Sequence, residues 1–381
     1  MVPIHLLHVF PSFETGGAQV RTVTLMNALG EAYRHSVLAL NGDFTASQRL
    51  LPDVRYQALE SPPPEGTISA VRRYAALLKR IKPDLLLTYN WGAIEAAMGN
   101  VLAPVCPLVH VEDGFGPDEA VGLKARRVWT RRIVLRRAAA VAVPSRTLER
   151  IALEKYRLPR RVVHFIPNGV DTARFVSSPN PSLRASLGLA ADDFVIGTVG
   201  RLRPEKDLVT LVRHFGQASI PNARLVFVGD GPSLPSIQAA ASELNLSSRC
   251  VFTGEVTDPA PFYGVFDLFA MTSLTEQMPV GLLEAMSCGL PTLCTAAGDT
   301  AAILEGSPDP QALALDDGAG YVDLLRLLAA DRACRSRNGA WNRLRVMGDF
   351  SQALMVSRWD HLYHQAANVP PPPAGQHQDV P

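Results

Sequence analysis

Two glutamates eight residues apart, Glu276 and Glu284 in LTEQMPVGLLEAMSCGLP (residues 274–291), stand on either side of a helix start. Pro279 suits the first helical position, where its missing amide costs nothing, and Gly289 suits the end, so the stretch predicts a helix over residues 279–287. Glu276 then lies in the loop ahead of that helix and Glu284 in its second turn. Unpaired amides at a helix start bind anions, and carboxylates, which only accept hydrogen bonds, suit sugar hydroxyls. A ligand with a hexose and a ribose joined by a diphosphate would satisfy all of these groups. The plainer alternative is a capping glutamate followed by an ordinary glutamate on a helix surface.

Three glycine-bearing loops could join this chemistry. TGGAQ (residues 15–19) puts Gly16 and Gly17 between a first strand and a first helix, where backbone can come close to a ligand, although a plain tight turn explains it equally well. VGRLRPEKD (199–207) sets Arg201, Arg203 and Lys206 after a strand and before a helix, which suits a diphosphate or, failing that, a solvated basic turn. VGDGP (228–232) ends another strand with Gly229 and Gly231, where a flat ring or a phosphate could lie close to backbone. No GxxxxGK[ST] sequence occurs, which excludes P-loop ATP hydrolysis, and no D-x-D triplet occurs either. His110 and Asp113, in PLVHVEDGFG, sit at a strand end in the first half; a histidine there can equally be a satisfied structural residue.

In this order the motifs resemble a retaining glycosyltransferase of family 4, with the GT-B fold, over residues 4–367. The resemblance rests on Glu276 and Glu284 with the following LLEAMSCGLP, on GGAQ, GRLRPEK, VFVGDGP and FTGEVTD, and on IPNGVD between the two halves. It implies that Arg201 and Lys206 hold the donor diphosphate, that Glu284 holds the ribose and Glu276 the transferred sugar, and that Met278, Pro279, Val280 and Gly281 close on sugar and phosphate. Gly16 and Gly17 would approach the donor from the first lobe, and Gly229 would lie beside it. Either His110 or Asp113 would face the sugar. Many members carry glycine after the first glutamate; here Gln277 stands there, which bears on sugar identity. The co-substrate implied is a nucleoside-diphosphate sugar, the acceptor a glycan or lipid-linked glycan, with no metal or other cofactor. The leaving diphosphate would itself take the proton of the attacking hydroxyl. An epimerase of the same architecture and a sugar-nucleotide-binding protein without transfer activity are the alternatives.

Positioning such groups requires strands that feed helices. Apolar runs IHLLHVF, HSVLAL, DLLLTY, PLVHV, AVAVPS and VVHFIP alternate with helix-period segments, and a second series, FVIGTVG, ARLVFVG, CVFTG, FDLFAMT and LPTLC, follows. This predicts an α/β chain of two Rossmann-like, doubly wound lobes facing across a cleft, over residues 1–172 and 190–347, joined by a polar linker near 170–190. A last helix over 348–368 packs on the second lobe or crosses back to the first, and the proline-rich tail 369–381 stays outside the fold.

Composition narrows the partners. A net charge of +1 in 381 residues gives no global field for nucleic acid, and five cysteines without metal-like spacing suit a reducing compartment, the cytoplasm. The N-terminus reads as a buried strand, not a signal peptide, and no apolar run is long enough to span a bilayer. The stretch over residues 121–140, VGLKARRVWTRRIVLRRAAA, carries seven cations and no acid around Val128, Trp129, Ile133 and Val134. It suits either an anionic membrane surface at the inner face or a solvated helix with some arginines paired elsewhere.

Overall fold

A computed structural model describes residues 2–60, 66–115, 119 and 122–368. The proline-rich tail and Val121 of the basic stretch lie outside the described residues. The chain divides into two units, the first comprising Met1–Pro167 with Met355–Pro381 and the second Asn168–Leu354.

The first unit holds β1 (Ile4–Phe10), α1 (Gly17–Leu29), β2 (Tyr33–Ala39), β3 (Tyr56–Leu59), α2 (Thr67–Ile81), β4 (Leu85–Tyr89), α3 (Ile94–Leu102), β5 (Leu108–Val111), α4 (Ala125–Leu135), β6 (Ala140–Val143), α5 (Arg146–Glu154) and β7 (Val163–Phe165). Its parallel sheet has the order β3-β2-β1-β4-β5-β6-β7, so the connection reverses direction between β1 and β4. Both faces are covered, so every residue of β1 is buried: Leu6 and Phe10 enter one core cluster, Leu7 and Val9 the other. β3 has no counterpart in the sequence reading, because an edge strand with exposed positions has no apolar run to show.

The second unit contains α6 (Pro181–Ser186), β8 (Phe194–Val199), α7 (Leu208–Ala218), β9 (Ala223–Val228), α8 (Leu234–Glu243), β10 (Cys250–Phe252), α9 (Ala260–Tyr263), β11 (Leu268–Met271), α10 (Val280–Ser287), β12 (Thr292–Thr295), α11 (Thr300–Ile303), β13 (Ala312–Leu313), α12 (Gly318–Ala330) and α13 (Arg332–Asp349). The strand order β10-β9-β8-β11-β12-β13 repeats the pattern of the first sheet, with the reversal between β8 and β11. Residues 170–190, expected to be a linker, are instead packed into this unit. Arg343 donates to the carbonyls of Thr172 and Phe175 at 3.0 and 2.9 Å, and the Ser287 hydroxyl donates to Phe175 O at 2.8 Å. The final helix, α14 (Gln352–Ala367), carries the chain back into the first unit, where Met355, Trp359, Leu362 and Tyr363 join the core cluster of Leu6 and Phe10.

That cluster encloses polar rings. His8 Nε2 lies 3.1 Å from His35 Nδ1, and His8 Nδ1 lies 3.0 Å from the Tyr89 hydroxyl. Burial holds both rings neutral: it lowers His8 well below the ordinary imidazole range and His35 to about 3, with neighbouring histidines adding to the effect. An unfolded chain binds these protons near pH 6.5, so the stability they carry is complete above that pH and is lost as pH falls toward their folded values. Calorimetry should therefore show the first unit's transition falling steadily between pH 6.5 and 5, with a slope of roughly 1.4 kcal/mol per pH unit for each histidine. His35→Asn should flatten that slope, and an unchanged slope would contradict this account.

Candidate functional site

In doubly wound sheets ligands collect at strand carboxyl ends where the connection reverses. In the second unit a recess lies there, between the ends of β8 and β11, lined by residues 198–202, Lys206, Leu208, Phe269, Met271, Ser273 and residues 279–282. The sequence-predicted Arg201, Lys206, Pro279, Val280 and Gly281 thus share one wall system. Arg201 is exposed, and among the described residues it forms no ion pair.

The helix expected over 279–287 is α10, starting one residue later with Pro279 as its N-cap. The first amides of a helix have no acceptor within it, and Pro279 offers no capping side chain, so they can meet an anion in the recess. Gly281 lets the helix approach β8: a Cβ there would stand 3.0 Å from Val199 O. Gly289, at φ +70°, ends the helix region as expected, its amide donating to Met286 O.

Lys206 sits in a turn held by the end of β11. The Thr272 hydroxyl donates to Asp207 O at 2.9 Å, and Leu274 N donates to Glu205 O at 2.9 Å. Lys206 Nζ pairs with Glu276 Oε1, which also accepts from the Ser273 hydroxyl at 2.7 Å. Met278, at the foot of α10, is buried, and its carbonyl accepts from the Asn168 side chain at 3.5 Å. Gly229 serves the packing of the loops, since its amide donates to Gly254 O and a Cβ on it would stand 2.1 Å from Gly200 O. It therefore fits the two strand-end loops together, and its own amide is already used.

Glu284 has a different setting from Glu276. Burial raises its carboxyl to about 7, although the Tyr263 hydroxyl, donating to Oε2 at 2.6 Å, and the nearby Arg174 pull the other way. The same burial and the adjacent Glu284 raise Tyr263 well above the ordinary phenol range, so it remains a donor.

In the first unit, Gly16 precedes α1 and Gly17 opens it, with open space where a Cβ on Gly17 would stand. The expectation that His110 presents itself to a ligand is not met. It lies inside β5, wholly buried, with Nδ1 2.8 Å from the Thr88 hydroxyl and Nε2 3.7 Å from Glu112 Oε2. Asp113, just beyond the strand, is the partly exposed group. Arg21 of α1 grips it with two bonds of 2.6 and 2.9 Å, and the Asn90 side chain accepts from its amide at 2.7 Å. Asn90 is held at φ +54° after β4, so three segments of the first unit converge on this residue.

The basic stretch is divided between interior and surface. Arg131 is fully buried and donates to Glu112 through Nε at 2.7 Å, and Arg127 pairs with Glu119 at 2.9 Å. On the other side of α4, Trp129 and Ile133 are exposed, with Lys124, Arg126, Arg136 and Arg137 also facing solvent and Arg132 stacked 4.5 Å from the Trp129 ring.

Sequence reasoning missed Arg21, Thr272, Ser273 and Tyr263. Arg21 follows TGGAQ by two residues, and Thr272 and Ser273 immediately precede the Glu276 loop, so proximity to motifs was the available signal. Tyr263, 21 residues before Glu284, had none.

Residues 15–174 match the model of Glycosyltransferase Family 4, and residues 180–306 match that of Glycosyl transferases group 1. EpsF of Bacillus subtilis, described as a glycosyltransferase, is 34% identical over 170 residues, which are 43% of this chain and 44% of EpsF. An Escherichia coli UDP-Gal:α-D-GlcNAc-diphosphoundecaprenol α-1,3-galactosyltransferase is 25% identical over 305 residues, 75% of this chain and 76% of that enzyme. The chain thus spans less than half of EpsF and about three quarters of the galactosyltransferase. HepE of Anabaena, crystallised with UDP, superposes with a TM-score of 0.81 at 19% identity, over 94% of this chain and 99% of HepE. With both models describing transferases, the epimerase alternative is set aside.

The raised carboxyl of Glu284 predicts a trade of stability for function. The folded protein keeps this proton to about pH 7, whereas an unfolded glutamate releases it near 4.5, so the group costs stability progressively above pH 4.5 and in full above 7. Glu284→Gln should raise the melting temperature of the second unit by a few degrees at pH 8 and by much less at pH 5. A melting temperature that falls at pH 8 would contradict this.

Proposed function

This chain belongs to the group 1 glycosyltransferases of family 4, and on that premise we propose that it moves a hexose from a nucleoside-diphosphate donor to a glycan or lipid-linked glycan. The observation that carries the reading is the recess at the β8–β11 reversal, where Arg201, Lys206 and the start of α10 meet and where Glu276 is paired to Lys206. In this reading the donor diphosphate lies against the two cations and the helix amides. Glu276 takes hydroxyls of the transferred sugar, and Glu284 those of the ribose. The E. coli relative's name specifies a UDP-sugar donor and a lipid diphosphate acceptor, and HepE was crystallised with UDP-glucose, which favours a donor and an acceptor of these classes.

As the bond from the sugar to phosphate breaks, negative charge grows on the leaving diphosphate, and fixed cations and amides stabilise it where it forms. We propose retention: the departing phosphate oxygen takes the acceptor hydroxyl's proton, and the hydroxyl attacks from the same face. Arg201 and Lys206 neutralise the diphosphate in this scheme, so no metal is required. Within the first unit, Asp113, partly exposed at the end of β5, is the residue proposed for the sugar or acceptor side, and Gly17 has open space beside its backbone. His110 is assigned a structural place inside β5, with Nδ1 against the Thr88 hydroxyl.

The test is incubation with UDP-glucose, UDP-galactose, UDP-N-acetylglucosamine and GDP-mannose, with and without GlcNAc-diphosphoundecaprenol, following free nucleoside diphosphate and the anomeric configuration of product. Lys206→Met should lower kcat by roughly 100-fold, the scale of losing one charge-stabilising donor. Binding of a nucleotide sugar with no turnover on any acceptor would favour the binding-protein alternative.

The exposed side of α4 supports a further part of the reading, action at the inner face of a membrane. Trp129 and Ile133 are exposed one helical turn apart, Arg132 stacks on the Trp129 ring, and Arg126, Arg136 and Arg137 are exposed on and just after α4, a composition that suits anionic lipid; among the described residues no helix is long and apolar enough to cross a bilayer. The protein should co-sediment with phosphatidylglycerol vesicles and not with phosphatidylcholine vesicles. Arg136→Glu with Arg137→Glu should release it, and equal binding to both vesicle types would overturn this part.

A further inference from the structure

The pairing of Lys206 with Glu276 does not stand alone. Both of the contacts that Glu276 makes fall on one oxygen: Oε1 meets Lys206 Nζ and accepts from the Ser273 hydroxyl at 2.7 Å. Among the described residues, Oε2 is left for another donor. Ser273 is wholly buried, and it is fixed in turn, because the Thr295 hydroxyl donates to its carbonyl at 2.6 Å. The backbone of Glu276 is restrained as well: Gly298, at φ +55°, packs so closely that a Cβ there would stand 1.6 Å from Glu276 O. A glutamate in a loop would ordinarily sample several rotamers, and this one is held at its side chain and its main chain.

We infer that Ser273 is a positioning residue for the transferred sugar: its buried hydroxyl fixes Glu276 Oε1 beside Lys206, so that Oε2 meets the sugar's hydroxyls while Lys206 meets the adjoining phosphate. The inference rests on the donor-site reading above. Its physical content is a division of labour within one carboxylate. One oxygen is occupied by protein donors and sets the orientation; the other is left for the ligand. Without Ser273, Lys206 alone would hold the carboxylate, and a single flexible ammonium fixes distance far better than direction. Donor ends that do not touch Glu276 should be indifferent to the change.

The test separates the sugar from the nucleoside diphosphate. Affinities for UDP and GDP are measured by calorimetry, and kcat/KM for the preferred nucleotide sugar from the panel above, on wild type, Ser273→Ala, Ser273→Cys and Ser273→Thr. Expected is a loss of about tenfold in kcat/KM for the alanine and cysteine variants, the scale of one hydrogen bond to a charged group. Nucleoside diphosphate affinity should stay within about twofold, and threonine, which keeps the hydroxyl, should restore transfer. The near-isosteric cysteine serves if alanine does not fold. Equal losses in both measurements, or no loss in either, would overturn the positioning role. Glu276→Gln distinguishes the two levels of failure. If that variant transfers as well as wild type, the donor-site reading itself fails; if it is inactive while Ser273→Ala is unaffected, only the role of Ser273 fails.

Discussion

Close contact between backbones at the strand ends is the constraint on which the second unit's site depends. A Cβ on Gly229 would stand 2.1 Å from Gly200 O, one on Gly231 would stand 2.4 Å from Leu202 O, and one on Gly298 1.6 Å from Glu276 O. These separations are below any real side-chain contact, so only glycine allows the loops after β8 and β9, and the segment after β12, to interlock as they do. The gain is a recess with walls of main chain, in which Arg201 and Lys206 stand next to the open start of α10. Side chains reaching such a site from rigid strand ends need less ordering when a ligand arrives than side chains on free loops.

Within that frame the two glutamates of the eight-residue spacing do different physical work. Glu276 meets a cation and a hydroxyl donor, so its carboxylate is answered at short range. Glu284 is half-buried beside a phenol, and loss of hydration outweighs the Tyr263 bond, which brings its carboxyl into the neutral range. Identical side chains therefore have different settings: one is paired with a cation and a buried hydroxyl, and the other lies half-buried against a phenol.

The first unit answers buried charge with ion pairs of its own. Arg131 crosses from α4 into the interior to meet Glu112, while residues on the outer side of the same helix present aromatic and cationic groups to solvent. Burying a guanidinium is tolerable only with acids in reach, and Glu112 and Glu119 both lie within 3.5 Å of it. Next to Glu112, Asp113 is clamped by Arg21 from α1, so the end of β5 is fixed by charge on both sides of the chain.

Much of this architecture is written locally. Apolar runs such as IHLLHVF and ARLVFVG are long enough to declare buried parallel strands, Pro279 and Gly289 bracket α10 within two residues, and the glycine and cation loops fall at strand ends because helix starts need them there. What sequence could not supply depends on partners far away in the chain. Asp113 and Arg21 are 92 residues apart, Glu276 and Lys206 are 70 apart, and neither residue type announces which opposite charge it will meet. The same limit concealed the burial of His110 and Arg131, the packing of residues 170–190 against Arg343, and the short strands β3 and β13. Periodicity reports which side of an element is apolar, because that is a property of neighbours in sequence; which hydrogen-bonding group faces a buried polar atom is decided only when the chain has closed on itself.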